Sequence, residues 1–575
     1  MMKLFRNLRP FRLPIIFVLA LVFIQSLSDL YLPTLMADIV DKGIRGGDIP
    51  YIWKIGGVML LIAAIGALSS IGASYFSSRV SVGFGQRLRS KMFKHVQNFS
   101  LQEFDKIGTA SLITRTTNDI NQVQQVLIML LRMMISAPLM CIGGIIMAVN
   151  QDAKLSLVIV VVIPVLVGAI AIIALKGLPL FKAMQVKLDT LNRVLRENLT
   201  GMRVIRSFNR TNYETKRFND ANVDLTDTAI KVNKIMAAMM PIMMLVMNFS
   251  TLAIVWFGSN RISEGNMEVG SLMAFIQYAA QIMFSLIMVS VMFVIVPRAS
   301  ASATRINEVL DMAPEIKDPV QPKPANRERG YLSFEDVTFH YPGAEQPAIS
   351  HISFQAGPGE TTAIIGGTGS GKSTLLSLIP RFYDVGSGKV LIDGVDVREL
   401  SQEQLRAKIG FVPQKSVLFT GTIADNIRYG KEDASDEEIQ RAAEIAQATE
   451  FISNMKDGFE SDIAQGGGNV SGGQKQRLSI ARALVRQPEV YVFDDSFSAL
   501  DFKTDAKLRA ALKEVTTDAT VLLVAQRVST VMDADRIIVL DEGRIVGIGK
   551  HHELMNTCDV YREIVSSQLS EEESA

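Results

Sequence analysis

Apolar residues crowd into long runs over about the first 300 positions, and beyond them they thin to short runs set between polar turns. A helix that crosses a bilayer needs about 20 mostly apolar residues. Six stretches meet that length, at about 13–36, 54–78, 126–149, 155–176, 236–258 and 269–296. The 79–125 and 177–235 connections are long and polar, yet almost free of Pro and Gly clusters. Segments such as Gln185-Val186-Lys187-Leu188-Asp189-Thr190-Leu191 keep apolar residues at helical spacing. Spans 2 to 5 are therefore expected to continue as helices well past the membrane, in two hairpins. The first apolar run has the flavour of a signal peptide, but its core is too long and no clear small-residue cleavage site comes after it. With five more spans after it, it reads as the first span.

Around 313–328 the texture changes to Ala313-Pro314-Glu315-Ile316-Lys317-Asp318-Pro319, then Pro322 and Pro324, which reads as a linker. A strand-like run, Tyr331-Leu332-Ser333-Phe334, opens the second domain. The expected layout is an all-α transmembrane domain over 1–312 with long helical extensions, a linker over 313–328, and an α/β domain over 329–575.

Composition agrees with two unlike halves. The chain of 575 residues is too long for one domain, and its 48% hydrophobic and 20% charged residues are unevenly mixed. A net charge of +1 gives no support for a nucleic-acid partner. Cys141 and Cys558 lie far apart in sequence, which argues against a disulfide framework or a zinc site. Positive charge sets orientation. Lys3, Arg6, Arg9 and Arg12 precede the first span, Arg79, Arg87, Arg89, Lys91 and Lys94 come after the second, and 177–235 is also rich in Lys and Arg. The short loops near 42–52, 150–154 and 259–268 carry fewer. Both termini and the second domain are expected on the cytoplasmic side of a cell membrane, with the lipid bilayer around the spans.

Gly366-Gly367-Thr368-Gly369-Ser370-Gly371-Lys372-Ser373 fits G-x-x-x-x-G-K-[ST] at every fixed position. The β-prone Thr361-Thr362-Ala363-Ile364-Ile365 precedes it and the helix-prone Thr374-Leu375-Leu376-Ser377-Leu378 comes after it. Glycines in that setting let backbone N–H groups turn inward around phosphate oxygens at a helix N-terminus. Lys372 supplies a positive charge to the outer phosphates, and the Ser373 hydroxyl suits Mg²⁺. Asp494 ends the apolar run Val490-Tyr491-Val492-Phe493, the form of a buried strand that delivers a carboxylate to the same ion. Val470-Ser471-Gly472-Gly473-Gln474-Lys475-Gln476-Arg477 opens a predicted helix, another phosphate-binding arrangement.

Taken together these motifs resemble a half-transporter of the ATP-binding cassette (ABC) exporter family, and six spans followed by one cassette is that family's exporter layout. Ser471-Gly472-Gly473-Gln474 resembles the family signature, Gln414 after Phe411-Val412-Pro413 its Q-loop glutamine, and Ser498-Ala499-Leu500-Asp501 its D-loop. Tyr341 is similar to the aromatic that stacks on adenine. Gly108-Thr109-Ala110-Ser111-Leu112 through Asn118-Asp119 resembles the first intracellular loop, and Glu197-Asn198-Leu199-Thr200-Gly201 through Arg206-Ser207-Phe208 the second. The resemblance implies an α/β P-loop ATPase that takes ATP on Tyr341, residues Gly366 to Thr374 and Asp494, with Mg²⁺ held by Ser373, Gln414 and Asp494. It also implies cassettes paired head to tail, so that one chain's signature completes the other chain's P-loop site.

Two positions depart from the family. Asp495 stands where the family usually has Glu, which positions or deprotonates the attacking water. Gln526, after Val521-Leu522-Leu523-Val524-Ala525, stands where it usually has a His that contacts the γ-phosphate. Asp495 is one methylene shorter, and a 1 Å misplacement can cost on the order of 10²-fold in rate. Gln526 can hydrogen-bond but cannot carry a positive charge. Gln465, where many relatives have Glu, is a third, smaller departure. With Asp495, Gln526 and Gln414 as the catalytic candidates, the double departure resembles the degenerate-site subunit of heterodimeric bacterial multidrug exporters. The expected partner is a second half-transporter, and the expected cargo a lipophilic or drug-like small molecule. Within transport the alternative is a homodimeric lipid flippase; from another class it is an ATP-gated regulator, for which the compact linker offers no regulatory insertion. An importer is disfavoured by the fusion of spans and cassette, and a peptide-processing exporter by the lack of a peptidase-like stretch before the first span.

In the membrane half, Asp29 and Arg132 fall within apolar runs, with Asp38 and Asp41 near the end of the first. An ionisable group in a span is a functional candidate, and three readings stand for Asp29: contact with a cationic substrate, an ion pair with Arg132, or helix packing and gating. Met236, Met239, Met240, Met243, Met244 and Met247 crowd span 5. Soft-metal binding, an adaptable wall for drugs or lipids, and ordinary packing are the open readings. No residue names the substrate or the partner chain.

Overall fold

The computed structural model describes residues 1–324 and 329–568. Positions 325–328 of the expected linker and 569–575 of the expected second domain lie outside the described residues. The chain forms two compact units: Met1–Gln97 with Thr109–Met312, and Asn98–Gly108 with the residues from Ala313 onward.

In the first unit six helices are long and apolar enough to cross a membrane: α1 (Lys3–Ile44), α2 (Ile49–Val96), α3 (Thr109–Gln151), α4 (Leu157–Thr200), α5 (Thr211–Ser263) and α6 (Val269–Asp311). Helices α2 to α5 have 43 to 53 residues. At about 1.5 Å per residue each is about twice as long as the ~30 Å hydrocarbon layer. Each of the expected apolar stretches lies on one of these helices, and the polar 79–96, 177–200 and 211–235 segments prolong α2, α4 and α5 without a break. Leu60, Leu68, Val161, Leu175, Leu252 and Trp256 stand exposed on the unit, as side chains that face lipid should. A buried cluster including Leu166, Ile254, Phe275, Tyr278 and Ile282 holds the helices together.

Polar groups in this unit bind where a helix needs them. Asp41 accepts the Gly270 and Ser271 N–H groups at 2.6 and 3.1 Å, so it caps the start of α6. Asp152 is buried and takes Arg261 at 3.0 and 2.9 Å. Asp119, also buried, pairs with Arg305 and accepts the Ser302 hydroxyl at 2.9 Å. Asp38 pairs with Lys42 at 2.6 Å. Arg132 donates to Ser74 at 3.4 Å, while the Asp29 carbonyl accepts from Gln281 at 3.1 Å. Among the described residues no Asp29–Arg132 ion pair forms. On α5, Met243 is buried in the cluster, Met239 and Met247 pack against it, and Met240 and Met244 are exposed. The described residues contain no group of three or more His, Cys, Asp or Glu that could hold a metal.

In the second unit a six-stranded sheet is built from β1 (Thr361–Gly366), β2 (Ile409–Val412), β3 (Val490–Asp494), β4 (Thr520–Val524), β5 (Arg536–Asp541) and β6 (Arg544–Gly549). Its spatial order is β6-β5-β1-β4-β3-β2, parallel except for β6. Parallel strands covered on both faces read as unbroken apolar runs, which is why every residue of β3 and β4 is buried. An antiparallel sheet packs beside it, ordered Ile349–Ala356, Leu332–Phe339, Ser387–Ile392 and Val395–Asp396. The short helix Leu101–Ile107 belongs to this unit although its sequence lies between α2 and α3.

Candidate functional site

Ligands of open parallel sheets sit at the carboxyl ends of the strands, and four strand ends here carry the chemistry. The loop after β1 leads into helix α7 (Lys372–Leu378). Gly366 cannot be replaced without a clash, because a Cβ there would lie 2.1 Å from the Leu540 carbonyl oxygen. Gly371, at φ +96°, has Ile349 and the Ala348 carbonyl within 2.7 Å of the same position. Gly369 also takes a positive φ of +85°. The loop curls around its own lysine: the Lys372 ammonium donates to the Gly366 and Gly367 carbonyls at 2.8 and 2.6 Å. It also reaches the Ser370 hydroxyl at 3.3 Å. Burial pushes the Lys372 ammonium below its usual range, and the charges of Asp495 and Asp494 oppose that shift.

At the tip of β3, Asp494 Oδ1 accepts the Ser373 hydroxyl at 3.0 Å. Both oxygens are hard donors of the kind Mg²⁺ takes, and Gln414 reaches the next residue, Asp495, through its amide nitrogen. Burial, with help from Asp495, raises the Asp494 carboxyl above its ordinary range, and Ser373 and Lys372 pull the other way. Asp495 comes next at φ +48°, a left-handed backbone that costs a non-glycine residue about 1–3 kcal/mol. Its Oδ2 accepts two amides, from Gln414 at 3.3 Å and Gln526 at 2.9 Å. Burial raises its carboxyl too, against Gln414, Ser498, Lys372 and Arg527.

Register explains this meeting. Strands β3 and β4 pair Asp494 with Val524, and β2 and β3 pair Val412 with Phe493. The residues just past these ends, Gln414, Asp495 and Gln526, are therefore brought side by side from three separate parts of the chain.

Tyr341 lies at the other edge of the loop. Its hydroxyl is 3.0 Å from Thr374 Oγ1, and its ring stands edge-on to Phe339 and Tyr383. The signature residues form their own arrangement at helix α8 (Gly472–Leu484). Ser471 caps it by accepting the Gln474 N–H at 3.3 Å, and Gln474 reaches back to the Ser471 N–H at 2.8 Å. Ser471 and Gly472 are exposed. A Cβ on Gly473 would meet the Ala499 carbonyl oxygen at 2.9 Å. Gln465 sits in a short turn, Gln465–Gly467, ahead of the signature.

Sequence reasoning left Arg527 unnamed, and it named Gln476 and Ser498 only as members of the signature run and the D-loop, without their bonds. Gln476 accepts the Ala499 N–H at 3.1 Å, which ties the D-loop to α8. Arg527 donates to the Ser498 and Leu500 carbonyls at 3.0 and 3.3 Å. The Ser498 hydroxyl donates to the Asp495 carbonyl at 2.9 Å. Their adjacency to the motifs was the available signal; their bonds were not legible.

Comparison with known proteins agrees with this geometry. Residues 15–286 match the model of the ABC transporter transmembrane region, and residues 349–498 match that of the ABC transporter. An uncharacterized ABC transporter ATP-binding protein of Mycobacterium tuberculosis is 46% identical over 98% of this chain and 97% of its own length. An ATP-dependent lipid A-core flippase of Chromobacterium violaceum is 32% identical over 95% of this chain and 94% of its own. The structure of a bacterial Atm1-family ABC exporter with ATP bound superposes with a TM-score of 0.81 at 26% identity, covering 97% of this chain and 99% of that one. The chain belongs to the ABC transporter family, as a multi-pass membrane half-transporter of the exporter type that carries one ATP-binding cassette.

Proposed function

We propose that this chain is the ATP-holding half of a heterodimeric exporter of lipophilic or drug-like compounds. Its own P-loop site binds ATP and hydrolyses it slowly, while Ser471, Gly472, Gly473 and Gln474 complete the site of a different partner chain. The observation that carries this reading is the state of Asp495. Its carboxylate is shortened by a methylene, and its Oδ2 is already shared by the amides of Gln414 and Gln526. A base in that position must accept a proton from water, and the two amide donors occupy the oxygen that would take it, with Gln414 opposing the rise that burial gives the carboxyl. Gln526 also brings no positive charge toward the γ-phosphate.

The binding groups are intact. Tyr341 offers a stacking face for adenine, the 366–374 loop its inward backbone, and Lys372 its charge. Ser373, Gln414 and Asp494 form the oxygen set that would hold Mg²⁺, which would neutralise phosphate charge. The basic flanks of spans 1 and 2 support a cytoplasmic cassette and cytoplasmic termini.

The test is ATPase activity of the chain alone and of the chain purified with a candidate partner half-transporter. Little turnover alone and strong turnover together, lost when the partner's strand-end Glu is changed to Gln, is the expected outcome. A second reading, a homodimeric lipid exporter, is favoured by the similarity to lipid A-core flippases over nearly the whole length. Robust hydrolysis by this chain alone would support it and overturn the first.

A further inference from the structure

The turn that carries Gln526 lies between elements and belongs to neither. Strand β4 ends at Val524, and the next helix, Val528–Val531, starts four residues on. Two side chains of the hydrolysis corner leave from this turn. Gln526 donates to Asp495 Oδ2 at 2.9 Å, and Arg527 donates to the Ser498 and Leu500 carbonyls at 3.0 and 3.3 Å. The aim of both depends on whatever fixes the backbone between them.

One side chain fixes it, from 40 positions beyond Val528. Gln568 Oε1 accepts the Val528 N–H at 2.9 Å, and Gln568 Nε2 donates to the Gln526 carbonyl at 2.8 Å. The first N–H groups of a helix have no partner within it, so Val528 needs such an acceptor. One planar amide that takes a carbonyl and an N–H two residues apart pairs as a residue of a parallel strand does. It thereby holds both peptide planes that flank Arg527.

The clamp has a rigid base. Gln568 comes just after the helix Asp559–Ser566, and its own N–H donates to the Val565 carbonyl at 3.0 Å. Tyr561 and Val565 of that helix are fully buried, in an apolar cluster that also contains Ala525, Val528 and Val531. One cluster therefore seats both the clamp and the turn it holds. Gln568 is itself exposed, so its contribution is the two bonds and not packing.

We propose that Gln568 is a positioning residue for hydrolysis at this chain's own site: it keeps Gln526 on Asp495 and so restrains the base. This rests on the reading that Asp495 is the slow base of a site that holds ATP. Without the Gln568 amide the turn can pivot about Arg527, and the Gln526 amide leaves Asp495 Oδ2. That oxygen is then open to the proton that water gives up as it attacks, with only Gln414 left on it at 3.3 Å. ATP binding does not depend on the clamp, because Lys372 and its loop stand on β1 and α7.

The experiment is single-turnover ATP hydrolysis by the full-length protein, beside ATP affinity and Tm. If the chain needs a partner half-transporter, that partner has its strand-end Glu changed to Gln, so that only this chain's site turns over. Gln568→Ala should raise the rate about fivefold, the worth of one hydrogen bond, and keep ATP affinity within about twofold. Gln568→Glu retains an acceptor for Val528 but has no donor for the Gln526 carbonyl, so it should give the same rise. The deciding comparison uses Gln526→Ala, which should itself speed hydrolysis. Adding Gln568→Ala to it should alter the rate by less than about twofold. A residue that only secures the helix Asp559–Ser566 would lower Tm and shift the rate equally in both backgrounds. That result, or an unchanged or lower rate in Gln568→Ala, overturns the clamp. The underlying reading fails separately: fast turnover by the wild type removes the slow base, whereas slow wild-type turnover with an unaffected variant removes the clamp alone.

Discussion

The phosphate loop and the hydrolysis corner lie within one site but are held in different ways. Around Lys372 the geometry is set by backbone: Gly366, Gly369 and Gly371 allow conformations and approaches that a side chain would block. Around Asp495 it is set by side chains that bond to each other, Gln414 and Gln526 converging on one carboxylate oxygen. A backbone cradle leaves no room for a side chain at Gly366 and Gly371, so those positions are read at once from a motif. A side-chain cluster can change members while the fold persists: where the family usually has Glu and His, Asp495 and Gln526 bond to each other here. The contrast teaches that two parts of one site can be held by different means, one by backbone and one by side chains.

The sharpest way to break the comparison is to rebuild the corner. Asp495→Glu with Gln526→His should raise single-turnover hydrolysis at this site on the order of 10²-fold. Asp495→Glu alone should give much less, because Gln526 would still occupy the carboxylate. No gain in the double variant would overturn the proposal that a shortened base slows turnover.

Lys372→Ala tests the other half. Hydrogen bonds to a charged group contribute about 1.5–3 kcal/mol, so ATP affinity, read by displacement of a fluorescent analogue, should fall by roughly 10–100-fold. Under the proposed pairing, hydrolysis by a co-purified partner's site should fall less, because the signature at Ser471 is untouched.

Gly366→Ala should act on stability, since the added methyl meets the Leu540 carbonyl. Such overpacking costs about 1–3 kcal/mol, visible as a lowered Tm without nucleotide. An unchanged Tm would show that the cradle is less rigid than its contacts imply.

The smallest effect concerns Asp494. Its folded carboxyl lies above the unfolded value because of burial. A raised acid carries its penalty while ionised, so the penalty is present above the folded pKa and vanishes as pH falls through it. Asp494→Asn should therefore stabilise the nucleotide-free protein at neutral pH, by roughly 0.5–2 kcal/mol. That gain should shrink on acidification, and thermal melts over a pH series read it. A gain that does not depend on pH would mean that ionisation is not the cause.

Much of this is legible in the sequence. The spans arise from apolar runs longer than a bilayer needs, and their extensions from apolar spacing that never breaks into Pro or Gly clusters. The P-loop, the strand-end Asp494 and the signature are local motifs, each set by a few consecutive residues. The affiliation of the helix Leu101–Ile107 was not legible. It lies between two membrane helices in sequence, and the Glu103 bond to Glu315, across 212 positions, ties it to the cassette's unit. Asp41 as the cap of α6 was equally hidden.

The chain by itself determined which segments are helix, strand or phosphate loop, because those depend on neighbours within a turn or two. It also set which side chains stand at the strand ends. Tertiary structure alone decided that Gln414, Asp495 and Gln526 share one oxygen, and that Gln568 brackets the turn that carries Gln526. The reason is strand register and helix packing: both are set by the burial of whole faces against one another, and no local spacing encodes which distant residues that burial brings together.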